Sequence, residues 1–347
     1  MNDARSLSLR ELGAGDVARW NRFVEECPDA TFFHRAEWRR VIEKAFGHPT
    51  WYWLAEDGEG RVRGVLPMVR VRSWLFGDTL ASIPFGVYGG VAAVDETARC
   101  FLERQACDLA GRLGVGALEM RNLVQRNPDW PRKDLYVTFR KAIAADHEAN
   151  LKAVPRKQRA MIRKGIEAGL ESTLTNDADR LFRTYSASVR NLGTPVFPRR
   201  YFRLLQEAFG PSCDSLVVTH QGRDVAAVMS FYFRDEVLPY YGGSLPLARD
   251  VKGNDFMYWE LMRRSVDRGC RLFDFGRSKT GTGSYHFKKN WGFEPQPLHY
   301  EYFLVKNREV PEVNPMNPRY RLFIEAWKHL PLPLANLVSG RLSPYLG

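Results

Sequence analysis

The stretch DSLVVTHQGRDVAAVMSFYFRDEVLPYYGGS, Asp214–Ser244, decides the fold. Its apolar runs are rich in Val, Phe and Tyr and break at the turn Gln221-Gly222. That pattern predicts strands folded back as hairpins. A helical stretch follows, with Trp259, Met262 and Val266 on one face and Gly269 at its end. RGCRLFDFG then reads as a returning strand. Hairpins, a helix and a parallel return strand make a mixed α/β unit.

The same order of signals runs upstream. TWYWLAE, a turn at Asp57–Gly60 and GVLPMVRVRS precede IPFGVYGGVAA, a helical stretch and LGVGALEMR. Tyr88-Gly89-Gly90 matches Tyr241-Gly242-Gly243, an offset of 241 − 88 = 153. The helix-closing glycines Gly114 and Gly269 give 269 − 114 = 155. Ordered matches at a nearly constant offset predict a duplicated domain. In the first helix Phe101, Leu102, Leu109 and Leu113 supply the apolar face, and Gly114 suits a left-handed cap. The expected division is a first domain over 1–145, a basic connecting helix over 146–170, a second domain over 171–310 and an amphipathic tail over 311–347.

The chain has 347 residues, enough for two domains, and 44% hydrophobic against 26% charged residues, which excludes a disordered chain. A formal net charge of +11 points to an anionic partner: nucleic acid, a phosphorylated substrate or an acidic membrane face, with no DNA expected. Cys27, Cys100, Cys107, Cys213 and Cys270 form no CxxC or Cys/His cluster, so neither a metal site nor a disulfide framework is expected. The start MNDARSLSLREL lacks the apolar centre of a signal peptide, and no run has the length of a transmembrane span. The expected location is cytoplasmic.

Between the repeats, PRKQRAMIRKGIEAGL reads as an amphipathic helix. Pro155 suits its first turn and Gly169 its stop. Arg156, Arg159 and Arg163 recur at i, i+3 and i+7, with Lys157 and Lys164 alongside, while Ile162 and Ile166 face the other way. A solvated face is one reading; contact with a polyanion is the other. The final segment, RYRLFIEAWKHLPLPLANLVSGRLSPYLG, reads as a helix and a Pro-broken tail that packs on the body or touches a membrane surface.

The chemistry-bearing segment is LFDFGRSKTGTGSYHFKKNWGF, Leu272–Phe293. A short strand opens into a glycine-loose loop carrying Arg277, Lys279, Lys288 and Lys289, an arrangement that suits an anionic ligand. His286 has the chemistry of a general base. Asp274, at the strand end, suits an amine or the orientation of a donor.

With these motifs in hand, the chain resembles the FemAB-like aminoacyltransferases, tandem GNAT-fold proteins that move amino acids from aminoacyl-tRNA to the peptide of cell-wall precursors. FFHRAEW, PRKQRAMIRKGIEAGL, YSASVRNLGTPVFPRRYF and GCRLFDFG…YHFKKNWGF carry the likeness. Length and tail look most like the branch associated with PEP-CTERM/exosortase exopolysaccharide systems. The resemblance implies that Lys288, after Phe287, stabilises charge on the reacting carbonyl, with Phe287 excluding water. It implies that Arg190 binds precursor phosphates and that Tyr241 lines the site. The family's precursor-binding lysine is replaced by Arg39 and Arg40 after Trp38. Arg156, Arg159 and Arg163 would meet tRNA. The acceptor would be a nucleotide- or lipid-linked glycan or peptide precursor, in a groove closed by the loop Arg277–Asn290.

Two alternatives stay open. One is an acetyl-CoA-dependent N-acetyltransferase, although neither GRLGVGA (Gly111–Ala117) nor RDVKGND (Arg249–Asp255) fits the R/QxxGxG/A pyrophosphate loop. The other is a non-catalytic basic scaffold for RNA or an anionic glycan precursor. No tightly bound cofactor is expected; the co-substrate is aminoacyl-tRNA, or acetyl-CoA in the first alternative.

Overall fold

The computed structural model describes residues 7–73, 77–311 and 318–345. The chain forms two compact units. One comprises Met1–Asp134, Pro297–Val313 and Tyr345–Gly347; the other comprises Leu135–Gln296 and Asn314–Pro344. Where the sequence reading kept 171–310 together, the strand His299–Leu304 instead pairs antiparallel with Ala117–Asn122 and completes the first unit's sheet. The connecting helix Arg156–Glu167 is part of the second unit and packs on the helix Gly253–Asp267. The tail residues 312–317 lie outside the described residues.

In the second unit the strands run Glu171–Thr175, Cys213–His220, Arg223–Phe233, Glu236–Ser244, Leu272–Asp274 and Arg140–Ala142 across one sheet. The pair Glu236–Ser244 and Leu272–Asp274 is parallel, as the sequence predicts. Only Glu236↔Leu272 and Val237↔Phe273 are in register. Beyond them a bulge puts Tyr240 between Pro239, opposite Ser230, and Tyr241, opposite Met229. A bulge bends its strand and redirects the side chains after it.

Alternation along these strands sends Leu216, Val218 and Val228 to one face, where Phe256, Trp259, Met262 and Val266 of the helix bury them. The helices Ala178–Asn191 and Arg199–Phe209 cover the other face, with Phe202 and Tyr201 packed on Tyr241. Gly269, at φ +94°, closes the helix Gly253–Asp267 in the left-handed region that favours glycine.

The first unit repeats the scheme around Trp53, Leu66, Met68, Leu80, Leu102, Leu109 and Leu118. Its parallel pair is Gly77–Ala81 with Ala117–Asn122. Asp95 caps the helix Glu96–Leu113 by accepting from the Ala98 amide at 2.8 Å. One element departs from the sequence reading. Val69 pairs with Ala81 and Val65 with Ala92, so 4 positions on one strand face 11 on the other. The strand is interrupted, and Tyr88-Gly89-Gly90 lies in the excursion rather than in the sheet. The FFHRAEW segment pins it there. Thr31 Oγ1 donates to the Tyr88 carbonyl at 3.2 Å, and the His34 ring Nε2 bonds the Gly90 carbonyl at 2.8 Å. A Cβ on Gly86 would collide with Phe33 and Ile83.

Candidate functional site

The site forms where the strand Leu272–Asp274 ends. Asp274 is fully buried. Its Oδ1 accepts from the Gly276 amide at 2.7 Å and from Thr138 Oγ1 at 3.4 Å. Its Oδ2 pairs with Arg140 Nε at 3.2 Å, and Arg140 reaches Glu236 at 2.5 Å. Asp274 therefore shapes the strand end, its carboxylate engaged by protein groups.

Gly276, at φ +66°, turns the chain so that its carbonyl faces inward. Residues expected in a loop, Gly283–Asn290, are instead a helix. Thr282 caps it, accepting from the Tyr285 amide at 3.4 Å and donating to the Lys279 carbonyl at 2.7 Å. The helix delivers Lys288 to the turn. Lys288 Nζ donates to the carbonyls of Gly276 at 3.0 Å and Arg277 at 3.1 Å. It lies 5.6 Å from the Phe139 ring centroid, and the residue is 8% exposed. It has no ion-pair partner among the described residues. Burial drives the Lys288 ammonium down to about 7; Asp274 opposes this and Arg277 adds to it.

The helix separates what the loop reading placed together. His286 is two positions from Lys288, about 200° around the axis. It is exposed, with its ring against Tyr285 at 5.3 Å, so one substrate atom cannot serve both. Phe287 is half-buried against Tyr258 (5.5 Å) and Trp291 (6.1 Å). Lys289 is exposed beside Tyr285, and Arg277 and Lys279 lie over the Tyr136 ring at 4.7 and 5.8 Å. Trp291 is wholly buried and donates from Nε1 to Asp255 Oδ1 at 3.0 Å.

Several expected ligand contacts have other partners. The Arg190 guanidinium donates to the carbonyls of Lys328 (3.0 Å) and Leu330 (3.2 Å), tying down the tail. Tyr241 is buried, its hydroxyl 2.9 Å from that of Tyr201. Arg39, in the first unit, donates to the Leu12 carbonyl at 2.7 Å and pairs with Glu11 and Glu43, whereas Arg40 is exposed. On the helix Arg156–Glu167, Gln158, Ile162 and Gly165 are buried, but Ile166 is 54% exposed, contrary to the apolar face read from sequence. Arg156, Lys157, Arg163 and Lys164 are exposed and none makes an ion pair among the described residues. Arg159 is half-buried, and its Nε has no hydrogen-bond partner there.

Sequence reasoning missed Tyr136, Thr138, Phe139 and Arg140. Tyr136 and Thr138 sit on Tyr136–Thr138, which pairs with Ser278–Lys279, Arg140 sits on Arg140–Ala142, which pairs with Leu272–Asp274, and Phe139 links the two strands. YVTFRK carries no alternating signal, because the adjacent Thr138 and Phe139 are both fully buried. At the start of the helix Gly253–Asp267, the loop RDVKGND carries Lys252 at φ +61°. Asp255 places a carboxylate in the first turn, and burial raises its pKa against the hydrogen bonds from Trp291 and Gln158.

The profile of the acetyltransferase (GNAT) domain family matches residues 156–289. No curated protein matches the chain in sequence. Among solved structures, FemX is 13% identical, covers 91% of this chain and 100% of its own, and superposes with a TM-score of 0.67. The C-terminal domain of a putative lysylphosphatidylglycerol synthetase from Agrobacterium fabrum is 13% identical, with a TM-score of 0.57 and coverage of 85% and 92%. A tandem GNAT protein from the clavulanic acid biosynthesis pathway is 16% identical, with a TM-score of 0.53 and coverage of 86% and 98%. The chain thus has a mixed α/β fold of two GNAT-like units in tandem. Among the described residues no helix is long and apolar enough to cross a membrane.

Proposed function

We propose that this protein is an N-acyltransferase that moves an aminoacyl group from aminoacyl-tRNA to an amine of a cell-envelope or exopolysaccharide precursor. The observation that carries the reading is Lys288, a buried amine near neutrality held by carbonyls alone. When an amine attacks an ester, a C–N bond forms and charge gathers on the carbonyl oxygen. Collapse breaks the C–O bond, and the amine's proton ends on the leaving oxygen. Two of the three ammonium N–H groups of Lys288 engage Gly276 and Arg277; the third is available to the oxyanion. A group titrating near 7 both carries that charge and exchanges a proton at neutral pH. Phe287, Tyr258 and Trp291 keep water from one side.

The unpaired cations of the helix Arg156–Glu167 support a polyanionic donor. Arg277 and Lys279, exposed in part beside Tyr136, suit precursor phosphates. Arg190 and Tyr241 enter this reading through what they hold in place. The acetyltransferase profile favours acetyl-CoA instead. Against that, a carboxylate in the first turn of the helix Gly253–Asp267 opposes a pyrophosphate there.

The test is transfer and filter binding with charged tRNA, uncharged tRNA and acetyl-CoA. Retention of charged tRNA should weaken steeply with salt. Lys288→Ala should lower the transfer rate about 100–1000-fold. Retention of acetyl-CoA alone, or a salt slope near zero, overturns the aminoacyl reading.

A further inference from the structure

The tail helix Leu332–Leu342 has two dissimilar faces. Ala335 and Ser339, four apart, are each 1% exposed. Ser339 Oγ accepts from the Val196 amide at 3.1 Å, and the helix packs on Ala178–Asn191. Leu334 and Leu337 point outward, 45% and 62% exposed, and Arg341 is exposed one turn beyond Leu337. The positions i, i+3 and i+7 share one face. The neighbouring tail helix, Pro318–His329, packs on the same supporting helix. Leu192, just past the end of that supporting helix, is 71% exposed. Leu192 and Leu337 are the two most exposed large apolar side chains among the described residues.

We propose that this face docks on an anionic bilayer surface. Leucines flanked by an arginine one turn away form the pattern of a shallow interfacial helix, apolar side chains entering the acyl boundary while the guanidinium stays at headgroup level. Charge agrees. From Pro318 to Gly347 the sequence holds Arg319, Arg321, Lys328 and Arg341 against Glu325 alone, and the whole chain is at +11. Area argues against a second protein copy, because so few side chains fall well short of the roughly 800 Å² per partner that a stable dimer covers. Docking would bring a lipid-linked acceptor within reach, yet the inference does not rest on the acyl-transfer reading.

Co-sedimentation of the full chain with vesicles decides it. Phosphatidylglycerol/phosphatidylcholine vesicles should retain the protein and pure phosphatidylcholine should not. Leu334→Gln with Leu337→Gln should weaken retention on the order of tenfold or more, and Arg341→Glu on the order of fivefold or more. All three substitutions are at exposed positions, so melting temperature should not move. No retention by the wild type, equal retention by the double variant, or equal binding to neutral vesicles overturns the proposal. So does a wild-type dimer that the leucine changes make monomeric. Lys288→Ala should sediment like the wild type, which separates failure here from failure of the acyl-transfer reading.

Discussion

Each unit buries a cation near the end of its returning strand, and the two cations are treated in opposite ways. In the first unit Arg121, 3% exposed, pairs with Glu119 at 2.7 Å, donates to the carbonyls of Pro84 and Gly86, and lies 5.2 Å from the Tyr300 ring centroid. Burial works to raise the Glu119 pKa, but Arg121 and Lys133 outweigh it and hold the carboxyl below its ordinary range. That pair is charged and static. In the second unit Lys288 has carbonyls and no paired carboxylate, because the nearby Asp274 is committed to Arg140, Thr138 and Gly276. A neutralised cation fixes a loop; an unneutralised one is poised to change its charge. The duplicated fold has kept the architecture in both halves and left a buried cation without a paired carboxylate in one.

The sharpest way to break this comparison is Arg121→Met. It strands Glu119 in the interior, and removal of one partner of a buried ion pair costs about 3–5 kcal/mol. Urea unfolding at pH 7 measures it. A loss below 1 kcal/mol would mean that Arg121 is no more structural than Lys288.

Trp291→Phe should come next. Its indole is a donor to a buried carboxylate, and such bonds are worth about 1.5–3 kcal/mol. Asp255 has a folded pKa raised by burial, so it contributes favourably at low pH and that contribution is lost as pH rises through the folded value. The cost of Trp291→Phe should therefore be full at pH 7 and shrink near pH 3. Trp38, in the first unit, donates to the neutral Phe32 carbonyl at 3.1 Å. Trp38→Phe should lack this acid-sensitive component, and equal pH dependence in the two variants would erase the distinction.

The repeat was legible because strands and helices leave their marks in the residues themselves: VAAVMSFYF is a β-prone apolar run buried throughout, and Gly114 and Gly269 mark helix ends. The excursion Ser82–Val91 was not legible, since its apolar composition is that of a strand and its anchors Thr31 and His34 lie 57 and 56 residues from the carbonyls they hold. Lys288 was singled out by resemblance, but its burial was invisible. Glycines on both sides made GTGSYHFKKN read as loop, and only the Thr282 cap turns it into a helix that carries one lysine inward and leaves Lys289 outside. Arg140 and Thr138 escaped because they reach the site through sheet pairing 136 residues from Asp274 in the case of Thr138, a separation no local pattern encodes.

The smallest effect has the most telling sign. Taking a lysine from 10.5 to about 7 corresponds to roughly 5 kcal/mol of preference for the neutral form. Between these values the unfolded chain holds a proton that the native state has released, so stability from this group rises with pH over that window and is lowest below 7. Lys288→Met removes that penalty and leaves two carbonyls without a donor, which returns about 2–4 kcal/mol. The variant should therefore be more stable than the wild type by about 1–3 kcal/mol at pH 6, and less stable by pH 9, even as transfer is lost. Urea unfolding across that range checks it. A variant destabilised at every pH would show that Lys288 is held for packing, as Arg121 is, and that the second unit's cation has no special chemistry.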